Sequence, residues 1–514
     1  MAVFTGNDID KDTTIECDVC VVGSGAGGAF VAQRLAQANK RVVVLEDGSF
    51  ETSDTFDMLE SSMGARLYYE GGTFATADQG IQIFQGRAVG GTTVVNWTTC
   101  FRTPERVFAY WHEHHGVEGV SHAELVPHWE AIEKRLNIIQ MTLEQVNKNN
   151  LVTWNGLKKL GYHAGLIKRN VKNCAHTGYC GMGCPIDAKQ SMLVTMLPEA
   201  VRAGADIYAN AYAERIKRDG RKCTGVIAQI RDPKTQKPRG ISLTVKAKVT
   251  VLSCGAIHTP ALLLRSDVDA NGRTGMRTFL HPSVSVVGVH SEKIDPFVGA
   301  PQYVHSEQFV DRGPDRMGML FEGAPFFPMG AAISNGMWGR EKQAYMELLP
   351  HMSNTVALIH DGFDPKNLDD GGNVSLKPNG TPRIDYAFSP RLVEALKHGT
   401  IEAARIQLAG GAKQVITSHP LYARNEAEVA RLLGEASYES GSQRVLVAHV
   451  MGGCPMGTSE RWSVVDSRTM RHHGFDDLFV IDGSVYPTSL TVNPQLSIYG
   501  LASWASQFVA QAAG

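Results

Sequence analysis

CDVCVVGSGAGGAFVAQRLAQANKRVVVLE, residues 17–46, decides the fold. Residues 17–22 read as a buried strand, 23–28 as a glycine turn, 29–38 as an apolar-periodic helix and 41–46 as a second, parallel strand. The turn is GxGxxG set between a strand and a helix. Gly23 permits the tight turn, Gly25 lets backbone N–H groups approach a pyrophosphate, and Gly28 lets the helix lie close to the strand. The helix N-terminus adds partial positive charge. Glu46 ends the second strand, placed to accept hydrogen bonds from an adenosine ribose. These residues imply dinucleotide binding and leave FAD and NAD undivided.

Outward from this unit, the chain of 514 residues exceeds one ordinary domain core, so a cofactor domain with a substrate domain is expected. Fifty Lys and Arg against 52 Asp and Glu leave a formal charge of −2, no field to hold nucleic acid or an anionic membrane, and the expected partner is a small molecule. The polar N-terminus lacks the basic start and apolar run of a secretory signal, and no apolar run is long enough to span a bilayer. A soluble cytoplasmic protein is expected. Nine cysteines, an odd number in a large chain, read as reduced thiols. Cys17 and Cys20 spell CxxC, but on a strand they point to opposite faces and do not form a redox pair.

A second glycine cluster lies at residues 86–103, GRAVGGTTVVNWTTCFRT. It is too rich in glycine and small hydroxyl residues for a regular element, and backbone N–H groups at Gly90, Gly91 and Thr92 suit the rest of an extended dinucleotide. GRAVGGTTVVNW resembles the first signature of the glucose-methanol-choline (GMC) oxidoreductase family, and GAIHTPALLLRS (residues 255–266) resembles a second family segment. The resemblance implies FAD, with Arg87, Val89, Gly90, Gly91 and Asn96 as cofactor contacts and Asn96 near the reactive flavin face. Asn96, Trp97 and Thr98 also spell a glycosylation sequon, which an expected buried position argues against.

Near the C-terminus, VLVAHVMGGCPMGT (residues 445–458) sets His449 between an apolar run and a glycine turn, and VIDGSVYPTSLTVNPQLS (residues 480–497) is a short strand, a turn and a helix starting near Gln495. A histidine titrates near neutrality and can accept a proton, whereas an asparagine can hold an oxygen without charge. Pro494 fits a first helical turn, whose free amides suit a polar ligand. By the same resemblance Asp482 and Gly483 reach the FAD ribityl chain and pyrophosphate, and His449 with Asn493 forms the catalytic pair. Residues 286–440 carry no signature. Phe321, Phe326, Phe327, Met329 and Trp338 there suit either an apolar substrate wall or ordinary core.

Cys174, Cys180 and Cys184 lie in NCAHTGYCGMGCP. Their spacing is similar to the iron–sulfur segment of membrane-complex FAD glucose dehydrogenase catalytic subunits, which implies a three-iron (3Fe-4S) cluster on those thiolates. Asp187, Ala188 and Lys189 instead look like the segment of long-chain alcohol oxidase-like relatives, which leaves a structural loop as the alternative. WHEHHG (residues 111–116) offers three histidines but reads as a solvated surface loop.

The expected fold is α/β: a doubly wound Rossmann-like FAD domain from residues 1–110, 195–285 and 445–514, a flavin-covering segment at 111–194, and a substrate domain with an antiparallel sheet at 286–444. The expected function is oxidation of an alcohol CH–OH group, with O₂ or another electron acceptor as second partner. Two alternatives stand beside it: a flavin–iron–sulfur sugar or polyol dehydrogenase serving a cytochrome partner, and a flavin-binding protein without oxidative catalysis.

Overall fold

The structure, a computed structural model, describes every residue except 1, 2, 270, 334, 335 and 420. Two sheets carry the molecule. The first is built on the strand Thr13–Val22, flanked by Val42–Leu45 on one side and Pro238–Leu252 on the other, with Asp206–Tyr208 and Leu478–Val480 beyond them, all parallel. The strands are Val-rich and buried because the sheet is covered on both faces. The helix Ala26–Gln37 crosses over it and packs on the C-terminal helix Gln495–Ala512. This is the Rossmann-like domain the glycine turn calls for.

The close packing depends on glycines at two points. A Cβ on Gly28 would lie 1.9 Å from the Gly23 carbonyl oxygen, and one on Gly27 would lie 1.9 Å from that of Ile481. Gly28 therefore serves helix-on-strand packing, the role its spacing implies.

The second sheet is antiparallel along its main path, through Gln414–Thr417, Ser283–Val289, Met352–Ile359, Met319–Gly323 and Val304–Phe309. The helix Pro390–Ala409 covers one face. Alternation along Ser283–Val289 sends Val284 and Val286 into the core while Ser283, Ser285 and Val287 line a cavity on the other face. Ile81–Ile83 and Val445–Val447, both expected within the nucleotide domain, pair with each other at the edge of this second sheet. The segments assigned to the nucleotide domain thus contribute strands to the second sheet.

WHEHHG is a correction. It ends the helix Glu105–His115, capped by Gly116 in the left-handed region, and His115 is half-buried with the Arg277 guanidinium donating to it at 2.7 Å. Burial and that cation push the His115 imidazole down to about 3, so it is a neutral packing residue.

Candidate active site

One cavity of about 560 Å³ runs between the two sheets. Its nucleotide half is lined by Gly23, Gly25, Glu46, Arg87, Gly91, Asn96, Asp482, Gly483 and Pro494, and its other half holds His449 and Asn493. Three of the expected cofactor residues are elsewhere: Gly28, Val89 and Gly90 support the lining from behind. Gly90 has φ +102°, and its N–H donates to Ser24 Oγ at 2.9 Å, which fixes the two glycine loops against each other.

Glu46 is buried and accepts from Ser24 N–H (3.0 Å), Ser24 Oγ (2.6 Å) and Gly48 N–H (2.9 Å). A carboxylate has about four acceptor positions, so one remains for a ribose hydroxyl. Asp482 accepts from Gly255 N–H (2.8 Å) and Thr259 Oγ (2.6 Å) on one oxygen and from Ser484 N–H (2.8 Å) on the other. It therefore holds the start of the helix Gly255–Arg265 against the cavity. Arg87 donates to Asp47 at 2.6 Å and to Gln236 at 2.9 Å. Asp47 follows Glu46, so the Arg87 guanidinium is held at the Glu46 end of the cavity.

The inner end contains the groups that can do chemistry. His449 Nε2 is 3.5 Å from Asn493 Nδ2, and its Nδ1 is 3.1 Å from the Nδ1 of His281. Burial holds the His449 imidazole down at about 4, so it is a free base at neutral pH. Asn493 Nδ2 also lies 3.4 Å from Glu322 Oε2, to which Gln302 Nε2 donates at 2.6 Å. Burial raises the Glu322 carboxyl to about 7, and its Oε1 is buried with no partner. Gln85 Oε1, Asn96 Oδ1 and Asn493 Oδ1 are also buried in the lining without partners. Such orphaned acceptors cost stability unless a ligand supplies donors.

Glu322, Gln302 and His281 were not anticipated from sequence. Glu322 sits in an apolar strand, MLFEG, and a lone carboxylate inside such a run is the signal that marks it. Of the aromatic and apolar residues considered for a wall, Phe326, Phe327 and Met329 line the cavity, Phe321 lies in the core, and Trp338 is 83% exposed.

In the cysteine loop the cluster reading gains no support. Among the described residues no three His, Cys, Asp or Glu side chains are gathered so as to hold a metal ion. Cations occupy the surroundings instead. The buried Lys189 ammonium donates to the Cys180 carbonyl (2.6 Å) and to that of Asn96 (3.1 Å), while its backbone N–H meets Cys184 Sγ at 3.4 Å. Arg169, fully buried, approaches Cys180 Sγ at 3.7 Å. Lys189, one of the residues that departs from the iron–sulfur pattern, thus pins this loop to the cofactor loop. Lys189→Met should leave those carbonyls unpaired and cost about 1–3 kcal/mol for each, the scale of an unsatisfied buried acceptor. Thermal melts and the rate of FAD loss are the measurements, and unchanged values would contradict this role.

No helix among the described residues is long and apolar enough to cross a membrane.

Comparison with known proteins follows the same lines. Family models described as GMC oxidoreductase match residues 64–283 and 369–502. The chain is 31% identical to an uncharacterised GMC-type oxidoreductase of Mycobacterium tuberculosis, over 98% of this chain and 78% of that protein. It is 28% identical to a long-chain-alcohol oxidase of Arabidopsis thaliana, over 97% of this chain and 68% of that protein. Among solved structures, a pyridoxine 4-oxidase from Mesorbium loti is similar with a TM-score of 0.69 at 18% identity, covering 96% of this chain and 98% of that one. A formate oxidase of Aspergillus oryzae gives a TM-score of 0.70 at 17% identity, covering 98% of each chain. The structural likenesses support the fold, and the matched models cover more than half of the chain. The chain belongs to the GMC oxidoreductase family.

Proposed function

We propose that this protein binds FAD and oxidises an alcohol with an apolar body to the aldehyde or ketone, with His449 as base and Asn493 as the group that positions the hydroxyl. The observation that carries the reading is the meeting of His449 and Asn493 at the inner end of a cavity whose other half suits a dinucleotide. Gly25 and Gly91 leave backbone open at the pyrophosphate position, Glu46 suits the ribose, and the unpartnered Gln85 and Asn96 acceptors suit polar hydrogens on a bound flavin. FAD, when bound, supplies the hydride acceptor.

The residues themselves divide the remaining work. Asn493 holds the alcohol oxygen, restricting its carbon to one orientation. His449 Nε2 takes the hydroxyl proton, building negative charge on oxygen as the hydride leaves carbon. Glu322 fixes the Asn493 amide through Oε2. Near neutrality it is partly protonated, so an unshared anion does not oppose the developing oxyanion.

The cavity walls favour an apolar body. Val287, Phe326, Phe327, Val356, Leu358 and Ile416 line the substrate half. Two serines of the same sheet face are already engaged: Ser285 Oγ donates to Asn354 and Ser283 Oγ to the Leu446 carbonyl, each at 2.7 Å. The relatives named as long-chain-alcohol oxidases support the same class.

An anaerobic titration of the holoprotein with alcohols of increasing chain length tests the reading. Bleaching of the flavin by aliphatic alcohols, stronger than by glucose or glycerol, is the expected result, and later admission of O₂ separates oxidase from dehydrogenase. No bleaching by any alcohol would overturn the proposal.

A further inference from the structure

We infer that His281 is a positioning residue for His449: it accepts the His449 Nδ1 proton and so leaves Nε2 unprotonated to take the proton of the alcohol. The inference rests on the assignment of His449 as base made above.

The two Nδ1 atoms are 3.1 Å apart and the ring centroids 5.2 Å. A contact between two imidazole nitrogens is a hydrogen bond only if one of them carries the proton and the other a lone pair. The other edge of His449 sets the direction. Asn493 Nδ2, which can only donate, is 3.5 Å from Nε2, so Nε2 is the acceptor and Nδ1 carries the proton. His281 Nδ1 must then accept. Its own proton sits on Nε2, which is buried without a partner.

The fold fixes the His281 ring at some cost. His281 is fully buried with φ +52°, a conformation that a side-chain-bearing residue rarely adopts. The N–H groups of Leu280 and His281 both donate to the Asp361 carboxylate, at 2.8 and 3.1 Å, and the Tyr386 hydroxyl donates to it at 2.7 Å. The Asp361 carbonyl accepts from Ser489 N–H (3.2 Å) and Ser489 Oγ (2.8 Å), in the loop that leads to Asn493. Asp361 therefore holds the His281 turn and the Asn493 loop in one frame, as a preorganised site requires.

The chemistry favours a neutral acceptor at this point. His281 is faced by His360, whose ring centroid is 5.4 Å away and whose nearest charged influence is Arg106; Asp361 meets its backbone, not its ring. On the far side of His449 stand Asn493 and then Glu322. Among the described residues the hydrogen-bond partner of His449 Nδ1 is the His281 ring and not a carboxylate. A carboxylate there would raise the basicity of His449 and favour its protonation before substrate arrives. An imidazole, being neutral, stabilises the imidazolium as it forms and raises its basicity less than a carboxylate would, and it sets the tautomer, the role an orienting partner plays for a catalytic histidine.

His281→Phe keeps a flat ring without an acceptor, and His281→Asn returns an oxygen acceptor near the former Nδ1. The tautomer is read from nitrogen-15 spectra of histidine-labelled holoprotein, with the His449 signals identified by their loss in His449→Asn. The expected result is Nδ1–H at His449 in the natural protein, a shift toward Nε2–H in His281→Phe, and restoration in His281→Asn. Flavin reduction at saturating alcohol should slow by about 10- to 100-fold in His281→Phe, the usual cost of losing an orienting partner. KM should change little, and the acid limb of the pH profile should move to lower pH because the imidazolium has lost its acceptor. His281→Asn should recover most of the rate. An Nε2–H tautomer in the natural protein overturns the inference, as does an unchanged tautomer in His281→Phe or equal damage in both variants. If no alcohol reduces the flavin, the base assignment fails by itself, and the spectra still decide whether His281 sets the tautomer.

Discussion

His449→Ala should purify with FAD bound and reduce its flavin about 100-fold or more slowly at saturating alcohol, the scale for losing a positioned base. The side chain can be removed without disturbing the scaffold because it projects from the end of the short strand Val445–Val447 into the cavity. Stopped-flow reduction is the measurement. In the natural protein the rate should stay level through neutral pH and fall as pH drops through about 4, where His449 takes up a proton before substrate can supply one. The sign follows from burial: it disfavours the imidazolium, lowers the pKa and keeps the base free over a wider range. A near-normal rate in His449→Ala would remove the base assignment.

Gly25→Val should fold and yet carry no flavin. A Cβ at Gly25 would have Gly91 Cα as its nearest neighbour at 3.7 Å, an ordinary contact, and the residue has φ −74°, which imposes no demand for glycine. The protein alone therefore tolerates a side chain there. A bound pyrophosphate, which must come against this backbone, does not. Gly27→Val is the contrast: its Cβ would meet the Ile481 carbonyl oxygen at 1.9 Å, so it should destabilise the fold itself. Flavin absorbance of the purified proteins, read beside their melting curves, separates the two effects. Full FAD occupancy in Gly25→Val would show that the first glycine loop is not the pyrophosphate site.

The legibility of these features in the sequence depended on how local their causes were. The turn at Gly23 to Gly28 and the strands around it are set by neighbouring residues, so periodicity and glycine spacing suffice for the Rossmann-like domain. His449 and Asn493 were legible as members of separate motifs, and the structure brings them within 3.5 Å. His281 and Glu322 belong to different strands or turns whose register decides their neighbours, and no short pattern encodes register. Arg87 was expected only as a cofactor contact, and nothing local reveals that its guanidinium is also held by Asp47 and Gln236. The histidines of WHEHHG were read as solvated because the segment is polar; the partner of the half-buried His115 is Arg277, far along the chain.

The pairing of Ile81–Ile83 with Val445–Val447 also bears on how the protein is made. The two segments lie far apart in the chain, so the first leaves the ribosome long before its partner. Until then the glycine loop beside it lacks the sheet edge that holds it, and the nascent chain exposes apolar strands with nothing to pair. Binding of FAD and closure of the second sheet should therefore come after synthesis, as one late and slow event dominated by contacts between distant parts of the chain. Production in cells should respond accordingly to lower temperature and to the supply of flavin during expression.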